Sequence, residues 1–311
     1  MKKFIFKRTC ISIITILIIL FVLFLMLNFM PGSPFNNEEK LSAEQILQMR
    51  QKYGLDKPVL LRFFIYIQNL LRGDFGVSYS IQVNMKISEM IAGRLPISLK
   101  LGLQAGVIGS LIGVVLGIVA ALKKNTVWDS LTSVIAVLGV SLPSFVLALV
   151  LSYFLGYKYK AFPLMYDAGA PIKSSILPTI SLAMFTVASV ARYTRSEMVD
   201  VLASDYYLLA NSKGLPKIKL IISHALRNTM ISIITILAPL LVNLMTGSLV
   251  IEKAFSITGL GSLYVTAIQS NDYNVVLAIS FIYSVMFIIA MLLVDILYGI
   301  IDPRIRLAKE G

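Results

Sequence analysis

The chain has 311 residues, 57% hydrophobic and 14% charged, and a mean hydropathy of +0.83, which excludes an ordinary soluble domain and makes lipid its solvent. The formal charge of +12 does not indicate nucleic acid, because the basic residues are dispersed between apolar runs and form no single stripe. Cys10 is the only cysteine, so an intrachain disulfide and a cysteine metal cluster are both excluded.

A bilayer core about 30 Å thick needs roughly 20 apolar helical residues per crossing. Six stretches approach or exceed this: 9–30, 98–122, 130–157, 176–191, 230–251 and 275–301. The expected fold class is an all-α integral membrane protein with six transmembrane helices. Lys2, Lys3, Lys7 and Arg8 precede the first run and place the N-terminus in the cytoplasm. An even number of crossings returns the C-terminus there, where Arg304, Arg306 and Lys309 agree. The first run is too long for the apolar region of a signal peptide, and no small-x-small cleavage site precedes the Pro-Gly-Ser-Pro at 31–34. It is expected to stay as an anchor.

The segment 31–97 has helical patterning of its own. Ser42 and Gln45 form a capping-box pattern, Ile46, Leu47 and Tyr53 recur at near-helical spacing, and Gly54 suits the position after the helix end. A second helix follows, with Asp56 as cap and Pro58 near the first turn. Val59, Leu60, Phe63, Phe64, Ile67, Leu70 and Leu71 give it a wide apolar face up to Gly73. Such a segment lacks enough core to stand alone and is expected to pack on the outer ends of the spans.

The second span carries Gly102, Gly106, Gly109, Gly113 and Gly117, two small-xxx-small series that let helix backbones approach closely. Pro143 lies inside the third span and loosens its hydrogen-bond ladder. The fourth run is short and ends at Arg192, so its helix is expected to continue past the membrane face. Lys100, Glu252 and Asp295 fall near span ends, and no ionisable residue sits mid-crossing. Ion-coupled transporters place ionisable groups at that depth, which argues against a self-sufficient secondary transporter.

Residues 205–228 read DYYLLANSKGLPKIKLIISHALRN, a polar insertion between two apolar runs. Ser204 is a candidate N-cap, Asp205 suits the first turn, Lys213 the last turn, and Gly214 the position beyond it. This predicts a helix of about nine residues, ~14 Å long. After Leu215-Pro216, Ile218, Ile221, Ile222 and Ala225 recur with helical period, leaving Lys217, Lys219 and Arg227 on more polar faces. Two readings of this elbow stand side by side. With Tyr206, Leu209 and Ala210 along one side it fills a groove on a partner, or it lies amphipathically on lipid headgroups. His224 is the only histidine and has no Cys or second His to share a metal, and no serine is placed to make it a catalytic base. No catalytic residue and no metal site are therefore expected. The chain lacks a G-x-x-x-x-G-K-[ST] loop, so ATP-driven work needs another subunit.

The elbow resembles the coupling loop of ABC importer permeases, whose peptide-family form is roughly D-Y-x-x-T-A-R-A-K-G followed by H-A-L-R-N. Asp205, Tyr206, Ala210, Lys213, Gly214, His224, Ala225, Leu226, Arg227 and Asn228 stand at those places; Leu209, Asn211 and Ser212 depart from it. PGSP at 31–34, YGLDKP at 53–58, GDFGVS at 73–78, GRLPISLKL at 93–101, ARYTRSEM at 191–198, Glu252 with Phe255 and GLG at 259–261, and DPRIR at 302–306 resemble the B-type permease subunit of dipeptide, oligopeptide and nickel importers. Two further departures are Ile257-Thr258 for Trp-Pro and Asp272-Tyr273-Asn274 for Asp-Tyr-Pro, which imply an outer loop of different shape.

The resemblance implies a type I ABC importer fold in a bacterial plasma membrane. Its parts would be an N-terminal anchor at 1–30, an external helical segment at 31–97, a permease core at 98–302 with the coupling loop at 192–229, and a cytoplasmic tail at 303–311. It implies as partners a second homologous permease in a heterodimer, two cytoplasmic ATP-binding subunits, and an external solute-binding lipoprotein or periplasmic protein. ATP and Mg would be bound by the ATPase subunits, with no cofactor on this chain. The transported solute is a peptide or a relative such as a nickel chelate, and no substrate-contacting residue is named. A membrane scaffold or sensor, and a membrane enzyme, are the competing functions.

Overall fold

The computed structural model describes residues 2–29 and 42–301. The motifs at 31–34 and 302–306 and the basic tail lie outside the described residues. The helices in chain order are α1 (Lys2–Phe29), α2 (Ala43–Lys52), α3 (Val59–Leu71), α4 (Ile87–Ala92), α5 (Leu95–Leu122), α6 (Val127–Ser141), α7 (Ser144–Leu151), α8 (Pro171–Leu202), α9 (Asp205–Ser212), α10 (Lys217–Lys219), α11 (Arg227–Met245), α12 (Leu249–Ala254), α13 (Leu260–Gln269) and α14 (Tyr273–Ile301). Among the described residues there is no strand, only an isolated bridge between Val77 and Lys86.

Among the described residues, four helical stretches are long and apolar enough to cross a membrane: Lys7–Phe29, Ile87–Leu122, Pro171–Leu202 and Tyr273–Val294. Two bent pairs, Val127–Ser141 with Ser144–Lys158 and Lys217–Met230 with Ser232–Met245, bring the number to six if each is one span. The third predicted crossing is therefore not a single loosened helix. It breaks into α6 and α7 at an angle of 104°. Pro143 has no N–H to donate and pushes Leu142 out of helical geometry, to φ −82 and ψ 122. α7 runs on through a π-helical turn at Ser152–Lys158. The fifth predicted crossing, 230–251, ends early at Met245, because Gly247 takes φ +88 and a separate α12 follows.

The chain divides into two compact units, Met1–Ile97 with Thr258–Ile288, and Ser98–Ile257 with Ile289–Gly311. In the first, α2 starts with the expected capping box: Ser42 N–H donates to Gln45 Oε1 at 2.9 Å and Gln45 N–H to Ser42 Oγ at 3.3 Å. Gly54 follows it at φ +66. α3 departs from expectation, since Pro58 and not Asp56 is its N-cap. Lys57 precedes a proline and is disfavoured from helical geometry, so no helical turn begins before Pro58. The Phe63 ring of α3 packs edge-on against Phe21 and Phe24 of α1, at 5.0 and 5.5 Å. The core these rings belong to also takes in Leu20, Met90, Leu260 and Val276, so the segment after α1 shares its core with α1, α13 and α14.

The second unit is built on α8, which runs unbroken through Arg192 to Leu202, as the short fourth run implied. The two glycine series of α5 face different neighbours. Gly102 and Gly106 lie against Leu244 and Leu241 of α11, whereas Gly109, Gly113 and Gly117 lie against Thr186, Val190 and Thr194 of α8. A Cβ on Gly113 would sit 2.8 Å from Val190 Cβ and 2.9 Å from the Val187 carbonyl. Absence of a side chain is what permits that helix crossing. Glu252, read as lying near a span end, is buried on α12 and accepts from Ser98 Oγ at 2.9 Å.

Candidate functional site

The elbow begins where α8 ends. Ser204 is the N-cap of α9 at φ −77 and ψ 148, but its hydroxyl donates back to the Val201 carbonyl at 2.5 Å and leaves the α9 amides without a side-chain cap. Lys213 closes the helix and Gly214 takes φ +75, the left-handed turn that glycine adopts without strain. Pro216 then starts α10, which enters a π-helical turn at Leu220–Leu226 and passes directly into α11.

That π turn changes which side chains face outward. With i to i+5 bonding, residues five apart share a face, and Leu220 and Ala225 are both buried. The expected apolar row is consequently split. Ile218 and Ile222 are turned outward, at 73% and 57% exposed, and Ile221 is half-buried. On α9, Tyr206, Leu208 and Leu209 are exposed, while Ala210 is buried because α9 packs on the π turn. The expected side Tyr206–Leu209–Ala210 is thus corrected to an outward set of Tyr206, Leu208, Leu209, Ile218 and Ile222. Asp205, Lys213, Gly214 and Arg227 are exposed, and His224 is half-buried in the π turn.

The inner side of the elbow is fixed to the spans. Met198 of α8, Ala121 at the end of α5 and Ala225 form one buried cluster, with Ile118, Val201, Leu202, Tyr207 and Ile221 packed against it. Polar ties bracket the same end of α8. Arg195 Nη2 donates to Asp129 Oδ2 at 2.8 Å and Arg195 Nε to Oδ1, while Ser232 Oγ on α11 donates to Glu197 Oε2 at 2.9 Å. Asp129 also accepts from Asn125 N–H at 2.9 Å, holding the 123–126 turn at Asn125 φ +63. Sequence reading did not find Asp129, Arg195 and Glu197 as a set; Arg195 and Glu197 lie in the ARYTRSEM motif, and Asp129 is the sole acidic residue of the turn it closes.

Apolar helices of spanning length, a long central α8, and a rigid elbow with exposed apolar side chains define a multispanning membrane protein of the transport-permease class. The chain belongs to the family described as binding-protein-dependent transport system inner membrane component, whose profile matches residues 113–307, with the family's N-terminal profile matching 1–102. It is 40% identical over 307 residues to the dipeptide transport system permease protein DppB of Lactococcus lactis subsp. cremoris, covering 99% of this chain and 100% of that protein. It is 39% identical over 311 residues to DppB of Bacillus subtilis, covering both fully. Against the oligopeptide transport system permease protein OppB of Escherichia coli it is 36% identical over 306 residues, covering 98% and 100%. The fold is also that of the inward-facing MetNI methionine ABC transporter, with a TM-score of 0.54 and 11% identity over 69% of this chain and 97% of that one. An amino acid ABC transporter gives a TM-score of 0.51 and 17% identity over 68% and 93%. The chain therefore has the type I importer permease fold and is a membrane subunit of an ABC importer.

Proposed function

We propose that this permease moves di- or oligopeptides and that its elbow takes up the mechanical work of a cytoplasmic ATPase. The carrying observation is the end-to-end similarity to dipeptide and oligopeptide permeases, joined to an elbow that exposes apolar side chains among charged ones and whose inner face packs on α5 and α8. Asp205, Tyr206, Leu209, Lys213, Gly214, His224 and Arg227 form the docking elbow, and Ala210 seats it on the π turn. The helix-in-groove mode fits a short rigid helix with outward Leu and Ile side chains. ATP and Mg bind on two ATPase subunits, a second homologous permease completes the pathway, and an external binding protein delivers the peptide. Both termini lie in the cytoplasm and this chain performs no catalysis itself.

ATP binding favours one packing of the permease by its difference in affinity for the two states, which is the only way a partner can shift such an equilibrium. The test is reconstitution of the chain with its co-purifying subunits in liposomes. Dipeptide-stimulated ATP hydrolysis and labelled dipeptide uptake are expected; hydrolysis stimulated by a nickel chelate and not by any peptide overturns the solute assignment.

A further inference from the structure

The first unit contains a cavity of about 370 Å³ between α1, α3 and the start of α14, a size typical of small-molecule sites. Its floor is buried and apolar or aromatic, with Phe24, Leu27 and Leu277, and its rim is exposed and polar, with Lys52, Lys57 and Asp74. We propose that this cavity binds the phosphodiester head of a phospholipid, with Arg62 as the principal anion contact. The inference is independent of the transported solute and of the elbow.

Two donors on the cavity wall lack acceptors. The Arg62 guanidinium is half-buried and lies 5.7 Å from the Phe24 ring centroid; Asp56, outside the cavity lining, acts on it through space, and among the described residues no hydrogen bond or ion pair to it is formed. The Tyr66 hydroxyl is buried without a partner, and burial holds its phenol well above the ordinary value, so it stays a neutral donor. A half-buried guanidinium without an acceptor is costly, and a charge-assisted bond to an anion removes that cost. Lys52, Lys57 and Arg62 face Asp74 on the lining, and Asp74 Oδ1 already accepts from Gly76 N–H at 2.9 Å. The cavity therefore has an excess of positive charge and of donors.

Its position identifies the anion's carrier. Phe24, Leu27 and Asn28 belong to the last turns of the span Lys7–Phe29, where the apolar layer gives way to headgroups. On α3, the cavity-lining Arg62, Ile65, Tyr66 and Asn69 share one face, and Leu60, Phe64 and Leu71, 58%, 68% and 84% exposed, lie on the opposite face, so α3 stands with its outer side apolar and its donors turned to the cavity. A ligand with an anionic head on an apolar body matches both the donors of this cavity and its apolar floor of Phe24, Leu27 and Leu277 at the end of a span. A free anion matches only the first.

The test uses the full-length chain with its co-purifying subunits, delipidated in detergent and titrated with phosphatidylglycerol under native mass spectrometry. Wild type retains the lipid. Arg62→Gln weakens retention about 10-fold or more, the loss of a charge-assisted bond. Lys57→Gln, on the exposed rim, weakens it about 3-fold and decides the matter should Arg62→Gln fail to assemble. Displacement of the lipid by equimolar inorganic phosphate or by a dipeptide shows the site reads a free anion and overturns the lipid assignment. Equal retention by wild type and the assembled variants overturns the site.

Discussion

Arg195 on α8 grips the carboxylate of Asp129 at the head of α6 with both Nε and Nη2, at residues 66 positions apart in the chain. The pair ties the 123–126 turn to α8 a few residues before the elbow begins. Asp129→Asn weakens a two-point contact and leaves the guanidinium without its counter-charge. The expected outcome is a fall in melting temperature of about 3–8 °C for the purified complex. Uptake falls with it if the pair transmits elbow motion; thermal melting and transport assays on one preparation separate the two effects.

Gly113→Ala places a methyl against Val190 Cβ and the Val187 carbonyl, both under 3 Å. Neither the α8 backbone nor a β-branched carbon can yield cheaply, and overpacking of this kind costs about 1–3 kcal/mol. Gly93→Ala, with nothing within 4 Å, is the matched control and is expected to be neutral. Folded yield by fluorescence-detected size exclusion compares the two.

Asp272 is buried and one of its oxygens, Oδ2, accepts from Ser78 Oγ at 2.5 Å and from the amides of Tyr79, Ser80 and Ile81 at 3.0, 3.0 and 3.3 Å. Asp272→Ala strands these donors, at a cost of at least about 1–3 kcal/mol. Hydrogen exchange should show amides 79–81 losing protection in the variant, with the α5–α8 contact unchanged.

Leu209 and Ile222 are 59% and 57% exposed in the isolated chain, so Leu209→Asp and Ile222→Asp are expected to leave membrane insertion unchanged and melting temperature nearly so. Both are expected to reduce co-purification of the ATPase about 10-fold or more, since an apolar anchor in a groove becomes a buried charge. Quantitative pull-down under constant detergent checks this.

Much of this was legible in the sequence because it is local. The capping box at Ser42 and Gln45 and the left-handed Gly54 and Gly214 follow from residue type at a turn, whereas Pro143 signalled a loosened ladder and not the 104° break it makes. The five glycines of α5 also announced close packing, though not that one series meets α11 and the other α8. What stayed hidden depends on register or on distance. The π turn at Leu220–Leu226 moves Ile222 outward, and reading at α-helical period puts it on the same face as Ala225. The Arg195–Asp129 and Glu197–Ser232 contacts join residues far apart in sequence and exist only once α6, α8 and α11 have packed. Asn274 shows a departure acquiring a role: its side-chain amide donates to the Val77 carbonyl at 3.1 Å, a bond that the proline of the resembled motif has no donor to make.

The proposed function requires that an ATPase move this permease through the 205–228 elbow. Cys10 is the only native cysteine, so a Cys10→Ser background with Leu209→Cys gives one reactive position. Thiol-to-amine cross-linking of the assembled complex should join that position to an ATP-hydrolysing subunit, with a yield that changes between nucleotide-free and ATP-bound states. A Leu209→Cys thiol that stays freely alkylated in an actively transporting complex, and never joins another subunit, would rule the elbow out as that contact.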